Sequence, residues 1–99
     1  MRVVLAPEAL DDLRNIATWI AEDNPIRAQS FSRELRDKCA SLSQNARRFR
    51  IVRRVGDHDI RKYNHRHYLI FYRVIESQVE ILHVLHGSRD WDAIFAKLP

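Results

Sequence analysis

The feature that most constrains the fold is a change of hydrophobic period near the middle of the chain. Apolar residues first recur three and four apart, as Leu10, Leu13, Ile16, Ala17 and Ile20, and then as Ala28, Phe31, Leu35, Cys39 and Leu42. Each set is one buried stripe of an amphipathic helix. Pro7 and Glu8 suit a first helical turn, where proline is pre-organised and an acid favours the helix dipole. Asn24 and Pro25 break the first helix, and Asn24 can cap a second that has Pro25 at its first position. The first half therefore predicts a helical hairpin, preceded by a short strand over Arg2 to Leu5.

Beyond residue 42 the pattern is different. Ser43 to Asp57 shows neither period clearly and carries Arg47, Arg48, Arg50, Arg53 and Arg54, so it reads as a basic connection ending near Gly56. Asp59 to Tyr63, His67 to Ile75 and Val79 to Leu85 are rich in Ile, Val, Tyr and Phe, as strands are. Three successive strands predict an antiparallel meander, with turns at Asn64 to Arg66 and Glu76 to Gln78. In the middle strand Tyr68, Ile70, Tyr72 and Val74 face one way, and Leu69, Phe71, Arg73 and Ile75 the other. Both faces are apolar apart from Arg73. Helices on one side would leave the other open, which predicts a partner covering it. After Gly87, Ser88 can cap a short final helix reaching Phe95. The expected class is α+β: one domain over 1–99, a small antiparallel sheet of N-terminal strand plus meander packed on the hairpin, and a short C-terminal helix.

Ninety-nine residues with 45% hydrophobic content, two glycines and three prolines suit one compact core and exclude a two-domain or disordered chain. The lone Cys39 cannot form an internal disulfide and falls on the second helix's apolar stripe, where a thiol is inert packing. No secretory signal opens the chain, and its longest apolar run is Tyr68 to Tyr72, so a cytoplasmic protein without a membrane span is expected. The net charge of +4 is concentrated: residues 47–66 hold eight Lys/Arg against two Asp/Glu, and fourteen of the seventeen basic residues overall are Arg. The planar guanidinium suits carboxylate or phosphate, so a nucleic acid or an acidic protein chain is the expected kind of partner.

The segments Tyr68-Leu69-Ile70-Phe71-Tyr72-Arg73-Val74 and Val79 to Asp90, the latter ending His86-Gly87-Ser88-Arg89-Asp90, closely resemble the C-terminal half of ParE-type toxins. Ala9 to Leu13 and Asn24-Pro25 resemble that family's opening, so the resemblance to the RelE/ParE superfamily of type II toxin-antitoxin modules spans nearly the whole chain. It implies a toxin that inhibits DNA gyrase by binding it, without cofactor or metal, and that is neutralised in a hetero-oligomer with a cognate antitoxin. Arg61, Arg73, His86 and Arg89 are the candidate gyrase contacts, and Leu13, Trp19 and Phe31 the candidate antitoxin groove. The alternative is a RelE-type ribosome-dependent mRNA endoribonuclease. Such a nuclease needs a base, an acid and cations around the phosphorane. The positions aligned with that machinery are Ile60, Lys62, Leu69, Arg89 and Phe95, so only two of five keep a group able to serve. A third reading is a toxin fold that has lost activity and only binds antitoxin.

Other constellations are weaker. His83 and His86 are three apart, so a regular strand would point them to opposite faces. His58, His65 and His67 lack a cysteine partner or a helical HExxH spacing. Asp57 and Asp59 flank Gly56 as turn residues do. No GxSxG turn or glycine-rich phosphate loop is present.

Overall fold

The helices begin where proline and asparagine place them. The computed structural model describes residues 1–97. After strand β1 (Arg2–Leu5), helix α1 (Pro7–Ala21) starts with Pro7 in its first turn, and the Ala6 N–H bonds the Ile81 carbonyl at 2.9 Å. Helix α2 (Pro25–Asn45) is capped by Asn24, whose side-chain oxygen accepts from the Arg27 N–H at 3.0 Å. Strands β2 (Arg50–Val55), β3 (His58–His65), β4 (Tyr68–Ile75) and β5 (Gln78–His86) follow, and then helix α3 (Trp91–Phe95).

The α+β architecture expected from the sequence is the one observed, with additions. The sheet has five strands in the order β1-β5-β4-β3-β2. The β2 to β5 pairings are antiparallel, whereas β1 runs parallel to β5, which makes the sheet mixed. A parallel neighbour requires a long crossover, and the helical hairpin is part of it. The supposed basic connection is partly β2: Ile51, Val52 and Val55 supply the β-branched residues, and a sheet edge tolerates the interleaved arginines that hide their period. A register shift between Ile51 and Arg53 blurs the alternation further.

The hairpin packs on one sheet face. Leu13, Phe31, Leu35 and Leu42 meet Ile70, Tyr72, Ile81 and Val84 there, all buried. Tyr72 is fully buried, and its O–H donates to the Ala46 carbonyl at 2.7 Å, tying the end of α2 to the sheet. The other face is not left open. Phe95 of α3 closes over Ile60, Phe71, Leu82 and Leu85 to form a second small core, with Trp91 and Ile94 packed around it. A five-residue helix suffices because Phe95 contacts Phe71 edge-on at 4.8 Å between centroids. The cap of α3 is Asp90, which accepts from the Ala93 N–H at 3.2 Å, while Ser88 is used elsewhere.

Candidate functional site

β1 pairs with β5 only as far as Leu5 opposite Ile81, but β5 runs five residues further to His86. On that side the strand end has no strand neighbour, and α1 crosses it instead. Asp12 of α1 takes the exposed strand donor: its Oδ2 accepts from the Val84 N–H at 2.9 Å and from His83 Nδ1 at 2.8 Å. Asn15, Ile16 and Trp19 follow Asp12 at helical spacing, so α1 lays one stripe along β5.

Between that stripe and the strand end lies an open cleft of about 540 Å³, lined also by Tyr68, Val84, Leu85, His86, Ser88 and Arg89. Its rim holds Trp19, which is 67% exposed although it is among the largest apolar side chains in the protein. Its end is shaped by the turn after β5. Ser88 donates its N–H to His86 Nδ1 at 3.1 Å, with the Ser88 hydroxyl also 2.7 Å from that nitrogen. With Nδ1 accepting from the Ser88 N–H, the ring proton sits on Nε2, which forms no hydrogen bond among the described residues. Tyr68 stands edge-on to the His86 ring at 5.2 Å, and burial pushes its hydroxyl pKa up from the ordinary value, keeping it a neutral donor. The turn is closed by the Gly87 N–H, which bonds the His67 carbonyl at 2.7 Å, and an added Cβ at Gly87 would make ordinary contact with that oxygen at 3.4 Å. The Arg89 N–H bonds the His86 carbonyl at 3.0 Å, which leaves the exposed Arg89 side chain projecting from the turn.

Of the seven site residues named from sequence, Trp19, His86 and Arg89 converge on this cleft. Arg73 lies apart, bound to Glu80 across the β4–β5 ladder at 2.8 Å. Arg61 donates to the carbonyls of Arg47 and Phe49 at 3.1 and 2.7 Å, where it anchors the chain entering β2. Leu13 and Phe31 do not line this cleft: at 3% and 5% exposure both are packed in the main core. Asp12, Asn15, Tyr68 and Ser88 were missed as site residues. The spacing of Asp12, Asn15 and Trp19 on one side of α1 is the signal that could have found the first two.

Three of the five positions aligned with nuclease machinery, Ile60, Leu69 and Phe95, belong to the core under α3, while Arg89 lines the cleft instead. His67 stacks on His86 at 6.1 Å between ring centroids, but the other histidines do not join them. His83 sits edge-on to Phe95 on one face, His86 against Tyr68 on the other, and His65 Nε2 pairs with Glu34 at 3.0 Å. Among the described residues no three of His, Cys, Asp and Glu gather where they could hold a metal ion, and no helix is long and apolar enough to cross a membrane. Cys39 is buried, and desolvation pushes its thiol up to about 11.

The sequence model of the family described as ParE toxin of type II toxin-antitoxin system, parDE, matches residues 3–91. Nine chains of solved structures match as well. One, described as a chromosomal ParDE TA system from P. aeruginosa, shares 17% identity and a TM-score of 0.73, covering 87% of this chain and 95% of its own. No curated protein matches.

Proposed function

This chain belongs to the ParE toxin family of type II toxin-antitoxin systems, and from that premise we propose that it arrests growth by binding DNA gyrase, without catalysis, until a cognate antitoxin displaces the target. Trapping of gyrase's cleaved-DNA state is what the family resemblance implies for the mechanism. The observation that carries the non-catalytic reading is the filling of nuclease-aligned positions by Ile60 and Phe95 inside a closed core, with Leu69 packed against it. An aliphatic side chain cannot stabilise an anionic oxygen and a phenyl ring cannot exchange a proton.

The cleft supplies what binding needs. Trp19 is an apolar anchor, Arg89 a planar cation without an ion pair among the described residues, and His86 Nε2 and the Tyr68 hydroxyl are donors. Because the groups expected for target and for antitoxin meet here, one antitoxin segment can neutralise by occupancy. An extended segment running beside the unpaired end of β5, with an apolar side chain on Trp19 and a carboxylate on Arg89, fits this geometry. Both partners would be met in the cytoplasm.

Inducible expression in a bacterial host, with and without the antitoxin, tests the reading. Arg89→Ala is expected to abolish growth arrest, whereas Trp19→Ala is expected to remain toxic and to escape the antitoxin. Toxicity and neutralisation both unchanged in the double variant would remove the cleft from the account.

A further inference from the structure

The strongest charge concentration outside the cleft lies at the opposite edge of the sheet. β2 is the terminal strand, with Arg47 and Arg48 just before it, Arg50, Arg53 and Arg54 on it, and Arg61 and Lys62 on neighbouring β3. Three of these cations are engaged: Arg53 with Asp92 at 3.0 Å, Arg54 with Asp59 at 3.4 Å, and Arg61 with backbone carbonyls. Among the described residues the side chains of Arg47, Arg48, Arg50 and Lys62 form no ion pair or hydrogen bond. Arg47 borders a shallow pit of about 210 Å³ that Asp57 and Asp59 also line, yet it pairs with neither. Arg50 and Lys62 are direct partners in the β2–β3 ladder, so two like charges share one face. Such a pair opposes the ladder it sits in unless an anion lies against it.

We propose that this edge is a second binding site, one that grips the phosphate backbone of double-stranded DNA without reading its sequence. An acidic peptide is disfavoured because arginines and a register shift blunt β2 against strand addition, and the edge offers little apolar anchor beyond the 46% exposed Ile51. Single-stranded RNA is disfavoured because it is held by stacking on exposed aromatic rings, and Trp19, the exposed aromatic, lies in the cleft. What remains is a group of cations around one sheet edge, Arg50 and Lys62 on its α3 side and Arg47 on its hairpin side, which suits a phosphate backbone. β3 and β4 separate this edge from β5, about 14 Å at ordinary strand spacing, so DNA and a protein in the cleft can be held together. The proposal goes beyond the gyrase reading and does not depend on it.

The test is fluorescence anisotropy of a labelled 20-base-pair duplex titrated with the intact protein. Four neutralised phosphates give a slope of about −3.6 in log K against log salt, so a threefold rise in salt weakens binding about fiftyfold. A variant with Arg47, Arg48, Arg50 and Lys62 all changed to Gln, checked for folding by circular dichroism, is expected to bind at least tenfold more weakly with a flattened slope. The milder pair Arg50→Gln with Lys62→Gln should reduce the slope by about two. A control with Arg33→Gln and Arg36→Gln on exposed α2 positions should match the parent. Unchanged duplex binding by both edge variants would overturn the proposal. So would tighter binding of polyglutamate or of a single-stranded RNA of equal length. Gyrase is absent from this assay, so its failure would leave the toxin reading standing.

Discussion

Asp12→Ala removes the side chain that hydrogen-bonds α1 to the end of β5 that β1 does not reach. The lost carboxylate accepts two hydrogen bonds, from His83 Nδ1 at 2.8 Å and the Val84 N–H at 2.9 Å, with the two side chains only 18% and 13% exposed. A half-buried strand N–H left without an acceptor costs about 1–3 kcal/mol, and losing the bond from His83 adds roughly 1, for a total of about 2–4 kcal/mol. A domain of this size is stabilised by about 5–15 kcal/mol, so this is a large fraction. With a urea dependence of about 1.5 kcal/mol per M, the unfolding midpoint should fall by about 1.3–2.7 M. Asp12→Asn keeps an oxygen for the Val84 N–H and should recover more than half of the loss. Urea unfolding followed by circular dichroism reads all three proteins. A loss below about 0.5 kcal/mol in Asp12→Ala would mean that water replaces the carboxylate freely and that this end of β5 is not held from α1.

Three further outcomes follow from the packing. Tyr72→Phe keeps the buried ring but leaves the Ala46 carbonyl without its donor, so it should cost about 1–2 kcal/mol in the same assay. The Glu34 carboxyl is held down to about 2, first by Arg27 and then by His65, against the opposing effect of burial. Because its folded value is depressed, its stabilisation is complete above the ordinary carboxylate value of about 4.3 and is lost as pH falls toward about 2. Urea midpoints between pH 6 and 2 should therefore drop less steeply in Glu34→Gln than in the parent. Glu76 and Ser77 both adopt positive φ, 51° and 64°, in the β4–β5 turn. A left-handed residue other than glycine carries a cost, so Ser77→Gly should stabilise by about 0.5–1 kcal/mol, read as a higher melting temperature.

The hairpin was legible because its signals are local. Pro7, Asn24 and Pro25 act through their own backbone, and the apolar stripes act through helical period. β2 was obscured because Arg50, Arg53 and Arg54 interrupt its alternation, and an edge strand does not need a fully apolar face. The covering of the second sheet face was equally hidden. Phe95 looks like one apolar residue in a short tail, and only the fold brings it onto Phe71 and Leu82. The site was half readable. His86 and Arg89 stand in a recognisable turn and Trp19 lies off the apolar stripe of its helix, so all three could be named. Leu13 and Phe31 could not be separated from the core by period, since a groove anchor and a core residue occupy the same stripe. Arg61 and Arg73 carry the right charge, but their partners, two carbonyls and Glu80, come from other strands.

The central claim is that this chain acts on gyrase by binding, and plasmid supercoiling tests it most directly. Purified gyrase, ATP and relaxed plasmid are titrated with the protein, and both supercoiling and linear cleaved DNA are read. The account predicts loss of supercoiling with accumulation of linear DNA, relieved by antitoxin and absent with Arg89→Ala. Unimpaired supercoiling at a stoichiometric excess of folded protein, together with cleavage of ribosome-bound mRNA, would contradict it.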